Sequence, residues 1–266
     1  MTILVTGARG SIARAVIDRL VTAGEDVRAA GSDPSKTPPI EGVPVVGFDL
    51  ADPVGLKAVL DGVDRVFMYA VHSGIEDFLD AARDAGVRHI VLLSSIAAEF
   101  PSNPIGDMHL AVENPLRESG IAYTFLRPGM FAMNALWWAD AVRSGVVGLP
   151  YPEAHVTPIH EGDMADVAVA ALTGSGHEGK IYPLGGPESL TVRRQVELIG
   201  EAIGRELRVE VLPREKAEAL MPAPVLDMLA GVVDKPQKPG PESEAVTGIP
   251  SRTFAQWAVD HAEDFR

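Results

Sequence analysis

The opening stretch, Thr2-Ile3-Leu4-Val5-Thr6-Gly7-Ala8-Arg9-Gly10-Ser11-Ile12-Ala13, constrains the fold more than any other part of the chain. Ile3 to Val5 is an apolar run suited to a central strand buried on both faces. Gly7, Gly10 and Ala13 follow at three-residue spacing, and Ile12, Val16, Ile17, Leu20 and Val21 then mark one face of a helix. A strand, a tight glycine turn and a helix in this order make an anion cradle. The first helical turn leaves backbone N–H groups unpaired, and the helix dipole favours negative charge there. Gly7 makes the turn, Gly10 admits a pyrophosphate to the backbone, and small Ala13 keeps helix and strand close. Gly7, Ala8, Arg9, Gly10, Ser11 and Ile12 are therefore the candidate residues for a bound dinucleotide. The bland alternative is an ordinary strand-to-helix turn; the strand before and the helix after are the context that raises the motif above it.

The first half of the chain repeats this rhythm. Strands are expected over about 2–6, 27–31, 44–48, 64–69, 89–93 and 123–127, and helices over about 11–22, from 53, 74–85 and 107–119. Alternation of this kind implies a doubly wound α/β fold: a parallel sheet with right-handed crossovers, helices on both faces, and ligands beyond the carboxyl ends of the strands. After Arg127 the rhythm breaks. A helix carrying Phe131, Leu136, Trp137 and Val142 precedes a Gly/Pro-rich loop over 145–158. Helices over 162–173 and 192–203, strands over 180–184 and 207–212, a proline-interrupted helix over 215–229, a mobile loop over 234–244 and a closing helix over 253–265 complete the chain. The expected organisation is one domain, with a dinucleotide-binding core over about 1–128 and a small irregular C-terminal substrate-binding cap over about 129–266.

Composition removes several function classes. A net charge of −14 argues against a nucleic-acid partner, which needs a basic face, and disfavours anionic membranes. The absence of cysteine excludes a thiolate nucleophile, a disulfide and a Cys-based metal site. No apolar run reaches membrane-spanning length and the chain opens on a folding strand rather than a signal peptide, so a cytoplasmic location is expected. No His/carboxylate group has metal-ligand spacing, and no Gly-x-Ser-x-Gly elbow occurs. The expected partner is a small-molecule substrate, handled by a monomer or homodimer.

Several motifs carry a family resemblance. Thr6-Gly7-Ala8-Arg9-Gly10-Ser11-Ile12-Ala13 resembles the opening motif of extended and atypical short-chain dehydrogenases. Phe48-Asp49-Leu50 and the fifth strand with its terminal Ser94-Ser95 are similar to segments of the same superfamily. His109 to Glu113, Glu118 to Gly129, Gly162 to Ala168, Tyr182 to Glu188 and Phe254 to Trp257 resemble the NmrA-like group, which includes quinone, azo-dye and triphenylmethane-dye reductases and also non-catalytic redox sensors. The resemblance implies a Rossmann-type, NAD(P)-binding fold. It implies that Asp49, with Leu50, contacts adenine and that Ala70 and Val71 line the dinucleotide path, with His72 facing the substrate. Without the resemblance, Asp49 reads as a loop residue and His72 as a polar residue at the sheet rim.

Strand 2 ends at Gly31, where an NAD site places a carboxylate for the ribose hydroxyls. Ser32 instead offers a hydroxyl to a 2′-phosphate, and Arg9 and Lys36 offer charge, so NADP(H) is expected over NAD(H). Asp33 counts against this unless it caps a turn with Pro34. Short-chain dehydrogenases use Ser, Tyr and Lys. By the resemblance Ser95 matches the serine, while His109 and Glu113 stand at the tyrosine and lysine positions. His109 and Glu113 are one helical turn apart, which allows either a proton-donating pair with a raised imidazole pKa or a plain i,i+4 surface pair. With the usual acid replaced, an acceptor that delocalises charge is favoured. The expected activity is NAD(P)H-dependent hydride transfer to a conjugated or aromatic carbonyl or quinone-like molecule, with Ser95 and His109 as catalytic candidates. Met130, Phe131, Asn134 and Trp138 are the substrate candidates after strand 6, and Tyr151 and His155 are candidates for a lid. The rival classes are a dinucleotide sensor acting through a protein partner and an epimerase, the latter disfavoured by the missing Tyr-x-x-x-Lys.

Overall fold

The computed structural model describes residues 1–100, 103–240 and 242–266. In chain order, β1 (Thr2–Val5), α1 (Ser11–Thr22), β2 (Asp26–Gly31), β3 (Val45–Gly47), α2 (Pro53–Leu60), β4 (Arg65–Tyr69), α3 (Ile75–Asp84), β5 (His89–Leu93), α4 (Pro104–Glu118) and β6 (Ala122–Pro128) alternate as expected. Then follow α5 (Ala139–Ser144), β7 (Val146–Leu149), β8 (His155–Val156), α6 (Glu161–Thr173), β9 (Lys180–Leu184), β10 (Leu190–Thr191), α7 (Val192–Ile203), β11 (Arg208–Val211), α8 (Arg214–Ala217), α9 (Ala223–Gly231), α10 (Glu242–Thr247) and α11 (Phe254–Asp260). The described chain divides into two compact units, one of residues 1–128, 161–184 and 246–248, the other of 129–160, 185–245 and 249–266.

The first unit is a seven-stranded sheet in the order β3-β2-β1-β4-β5-β6-β9, parallel throughout. Central strands alternate their side chains between two cores. Leu4, Val66, Met68, Ile90 and Leu92 join Leu56, Phe78, Leu79, Val112 and Leu116 of α2, α3 and α4 in one cluster. Ile3, Val5, Phe67, Val91 and Leu93 are equally buried but lie outside that cluster, on the opposite face, where α6 packs against α1 and against β4, β5 and β6. Burial on both faces explains why these strands read as unbroken apolar runs. Strand order reverses between β1 and β4, which opens a crevice at their carboxyl ends. Residues 161–184, expected in the cap, belong to this unit and supply α6 and the edge strand β9.

The second unit has its own core, built on Val142, Val147, Leu149, Val196, Ile199, Phe254, Trp257 and Phe265. Four expectations are corrected here. The loop over 145–158 contains β7, which pairs in parallel with β11, and β8, which pairs antiparallel with β10. Four residues and two residues are too short to show a period. The helix expected from Phe131 is a 3-10 turn over Ala132–Trp138 followed by the short α5. The α4 helix starts three residues before the expected Asp107 because Asn103 caps it, its Oδ1 accepting from the Ile105 and Gly106 N–H groups. The loop expected over 234–244 ends in the start of α10, and its Pro241 lies outside the described residues.

At the amino end of the sheet, His89 is buried with its Nε2 2.9 Å from Thr124 Oγ1. The Thr124 hydroxyl donates to the His177 carbonyl at 2.6 Å, so the imidazole is the donor and its Nδ1 lone pair is left buried without a partner. Burial, helped by the Arg65 charge, pushes the His89 pKa from 6.5 to about 4. The unfolded chain therefore takes up a proton below about pH 6.5 that the folded chain refuses until about pH 4. Stability is complete above the upper value and falls through this window by about 3 kcal/mol. Urea unfolding at pH 7 and pH 4.5 is expected to show that loss, and a His89→Gln variant a shallower pH dependence. Parallel profiles for the two proteins would contradict the assignment.

Candidate active site

The crevice at the β1–β4 reversal is a cleft of about 410 Å³ lined by Thr6, Gly7, Gly31, Ser32, Phe48, Asp49, Leu50, Ala51, Met68, Tyr69, Val71 and Ser73. Gly7 turns the chain with a left-handed φ of 67°. Its carbonyl accepts from the Gly10 N–H at 2.8 Å, and the Ala8 N–H reaches back to the Ala30 carbonyl at 3.0 Å, tying the turn to the end of β2. The glycines were expected to leave room for a pyrophosphate. In the structure that room is partly taken by Tyr69, the last residue of β4. A Cβ on Gly7 would stand 2.6 Å from the Tyr69 ring and one on Gly10 3.0 Å from its hydroxyl. The hydroxyl accepts the Ala13 N–H at 3.1 Å, satisfying one of the first-turn donors of α1.

Of the expected dinucleotide residues, Gly7, Ser32, Asp49, Leu50 and Val71 line the cleft, while Ala8, Arg9, Gly10, Ser11, Ile12, Lys36 and Ala70 stand outside its lining. Arg9 Nη2 lies 3.4 Å from Ser32 Oγ, so these two meet at the tip of β2. Lys36 does not join them. It is paired at 3.0 Å with Asp33, whose carboxylate also accepts from the Ser35 N–H and hydroxyl. Those Ser35 and Lys36 hydrogen bonds hold the Asp33 pKa below its usual value. Asp33 is thus the turn cap that the sequence left open. Asp49 both lines the cleft and accepts from the Ala51 N–H at 2.9 Å, which fixes its loop. His72 is exposed at the rim. A glycine turn at a helix start, a strand tip without a carboxylate and an Asp on the cleft wall are a donor and acceptor set that fits a pyridine dinucleotide.

At the ends of β5 and β6 a second arrangement replaces the expected His109–Glu113 pair. Glu113 is fully buried and held bidentately by Arg127, at 2.9 Å to Nε and 2.6 Å to Nη2. Ser94 Oγ donates to the same carboxylate at 2.6 Å, and Arg117 Nη2 lies 2.8 Å away. Arg127 also reaches Glu99 at 3.4 Å. Glu113 is therefore committed to guanidinium groups, and its effect on His109 is outweighed. Burial pushes the His109 pKa below the ordinary imidazole value despite the neighbouring carboxylate. Neither reading of the spacing holds: the imidazole pKa is lowered rather than raised, and Glu113 is buried rather than part of a surface pair. His109 shares the inward stripe of α4 with Gly106, Glu113 and Leu116, and its buried Nδ1 has no hydrogen-bond partner. Ser95 caps the following 3-10 turn, its Oγ accepting from the Ala97 N–H at 3.2 Å.

The remaining candidates belong to the second unit. Asn134 Nδ2 donates to the Met130 sulfur at 3.1 Å, and Phe131 bridges to Ile159. Trp138 packs on the second core, whereas Trp137 is 74% exposed. Tyr151 meets Arg214 at 3.5 Å and His155 meets Ser189 at 3.3 Å. The sequence did not single out Thr6, Phe48, Ala51, Met68, Tyr69 and Ser73 as cleft residues, nor the pairing of Arg127 with Glu113. The position of Tyr69 at the end of a buried strand next to the switch point was the available signal. Nothing local in the sequence joins Arg127 to Glu113, fourteen residues away.

The sequence model of a family described as NAD(P)H-binding matches residues 7–175. The chain is 40% identical over 280 aligned positions to a (4-alkanoyl-5-oxo-2,5-dihydrofuran-3-yl)methyl phosphate reductase of Streptomyces griseus, covering 99% of each chain. It is 34% identical over 290 positions to an NAD(P)H azoreductase of Xenophilus azovorans, again covering 99% of each. Among solved structures, an NADPH-dependent quinone oxidoreductase from Escherichia coli superimposes with a TM-score of 0.81 at 26% identity, over 97% of this chain and 98% of that one. No helix among the described residues is long and apolar enough to cross a membrane.

Removing one partner of a buried ion pair leaves the other charge stranded, whereas removing both does not. Arg127→Met leaves the buried Glu113 carboxylate with Arg117 and Ser94 alone and is expected to cost about 2 kcal/mol in urea unfolding, less than the full penalty of a stranded charge. The Glu113→Met, Arg127→Met double variant is expected to recover most of that loss. Equal stability of the single variant and the parent would contradict the pairing.

Proposed function

We propose, for a chain that belongs to the NAD(P)H-binding, NmrA-like family of atypical short-chain dehydrogenases/reductases, an NADPH-dependent reduction of a conjugated small molecule of quinone, dye or unsaturated carbonyl type. The observation that carries this reading is the convergence of Gly7, Gly31, Ser32, Asp49 and Val71 on one cleft at the carboxyl ends of β1 and β4. In it the start of α1 receives the diphosphate, Asp49 contacts adenine, and Ser32 with Arg9 receives the 2′-phosphate. Bound reduced nicotinamide supplies the hydride. NADP(H) is favoured over NAD(H) by the bare Gly31 tip and by the Arg9–Ser32 contact.

The substrate class follows from what the chain lacks and from its relatives. Glu113 is bound to Arg127 and cannot act as the lysine of a Tyr–Lys pair. His109 is neutral and half-buried, so it offers an imidazole N–H rather than a cation. A weak donor suits an acceptor whose own conjugation spreads the incoming charge. The relatives are an oxo-dihydrofuran phosphate reductase, an azoreductase and a quinone oxidoreductase. Ser95 and His109 are our candidates for orienting and protonating the substrate, and Met130, Phe131, Asn134 and Trp138 for contacting it.

Incubation with NADPH or NADH and a panel of quinones, azo and triphenylmethane dyes and unsaturated lactones, followed by nicotinamide absorbance, tests this reading. Turnover faster with NADPH is expected. Arg9→Ala is expected to weaken NADPH about tenfold while leaving NADH unchanged. Ser95→Ala and His109→Phe are each expected to lower kcat. Tight nucleotide binding without turnover on the whole panel would favour the sensor reading instead.

A further inference from the structure

Tyr69 is the cleft residue with the least ordinary surroundings. It ends β4 at the switch point, is half-buried, and lines the cleft beside Thr6 and Gly7. Its ring occupies the space that the two missing glycine Cβ atoms leave free. Phe67 meets that ring edge-on at a centroid distance of 5.7 Å, which fixes its tilt from the other side. The ring is thus held between β4 and the glycine turn with little rotational freedom.

The hydroxyl has one described hydrogen bond, and in it the oxygen accepts. The donor is the Ala13 N–H, the third amide of α1. A phenol has one proton to give and accepts on its lone pairs. With a lone pair taken by the helix amide, the proton remains to be given, and among the described residues it has no acceptor. A donor of this kind at the first turn of α1 points to an anion. The helix amide polarises the phenol in the direction that strengthens its O–H as a donor. Burial pushes the Tyr69 pKa above its ordinary value, so the proton is present at any working pH.

We infer that Tyr69 is a diphosphate-binding residue of this cleft: its hydroxyl extends the donor row of the α1 amides and donates to a phosphate oxygen of the dinucleotide. The inference rests on the dinucleotide reading above and adds to it a side chain that the glycine motif does not contain. It also gives Gly7 and Gly10 a second reason to be glycine. A methyl group at either place would push the ring, and with it the donor, out of register.

Calorimetric titration of the parent protein and a Tyr69→Phe variant with NADPH, ADP and adenosine separates the possibilities. The variant is expected to bind NADPH and ADP on the order of tenfold more weakly and adenosine as the parent does. Because phenylalanine also deprives the Ala13 amide of its acceptor, a Tyr69→3-fluorotyrosine protein supplies the second arm. Fluorine makes the phenol a stronger donor and a poorer acceptor. NADPH and ADP are expected to bind about twofold more tightly if donation to phosphate matters, and more weakly if the hydroxyl serves only the helix. Unchanged or uniformly weakened binding of all three ligands by Tyr69→Phe, or weaker binding by the fluorinated protein, overturns the inference and leaves the dinucleotide reading standing. A parent protein that binds neither NADPH nor ADP overturns both.

Discussion

The chain must leave β1, turn within a few residues and start α1 with its amides facing the carboxyl end of the sheet. Everything functional depends on that reversal. Gly7 makes it possible through a backbone angle that other residues adopt at a cost, and the Gly10 N–H closes it. Tyr69 then fills the hollow beneath and ties the first turn of α1 to the end of β4. The neighbouring strands give the turn its walls: β2 ends in Gly31 and Ser32, and the segment after β3 brings Asp49. The site is therefore a property of the parallel sheet and its switch point, and the side chains tune what it holds.

A second constraint lies two strands away. A buried carboxylate must be neutralised by something, and Glu113 is neutralised by Arg127 from the end of β6, with Ser94 and Arg117 completing its contacts. This fixes α4 against the ends of β5 and β6. It also removes Glu113 from acid–base chemistry and leaves His109 in apolar surroundings that favour its neutral form. Glu113, which stands where short-chain dehydrogenases have their lysine, thus becomes part of an internal clamp. The departure fits an enzyme whose substrate handles charge by its own conjugation.

The sheet was legible because its strands are buried on both faces and so read as apolar runs, and α1, β5, β9 and α7 fall where the sequence places them. The glycine motif and the Gly31 tip were legible because each is a local pattern with a local physical cause, whereas Asp49, a plain loop residue by its own sequence, was singled out by the family resemblance alone and does line the cleft. What the sequence concealed is non-local. Lys36 looks like a free cation until Asp33 folds onto it, and Glu113 looks like a partner for His109 until β6 delivers Arg127. The pair β7–β11 joins two segments some sixty residues apart, and only β11 was expected as a strand, because β7 lies in a Gly/Pro-rich stretch and is too short to announce itself. Tyr69 was concealed differently. It reads as one more apolar residue at a strand end, and only the packed turn shows that its hydroxyl meets a helix.

The most direct measurement of the central claim is amide hydrogen exchange, read residue by residue, with and without saturating NADPH. The account predicts that protection appears at the N–H groups of residues 9–12, where the glycine turn meets α1, and at Ser32 and Asp49, while the second strand tips of the sheet edge at β9 stay unchanged. Nucleotide binding that protects another part of the chain and leaves the amides of the first helical turn exchanging as before would contradict it.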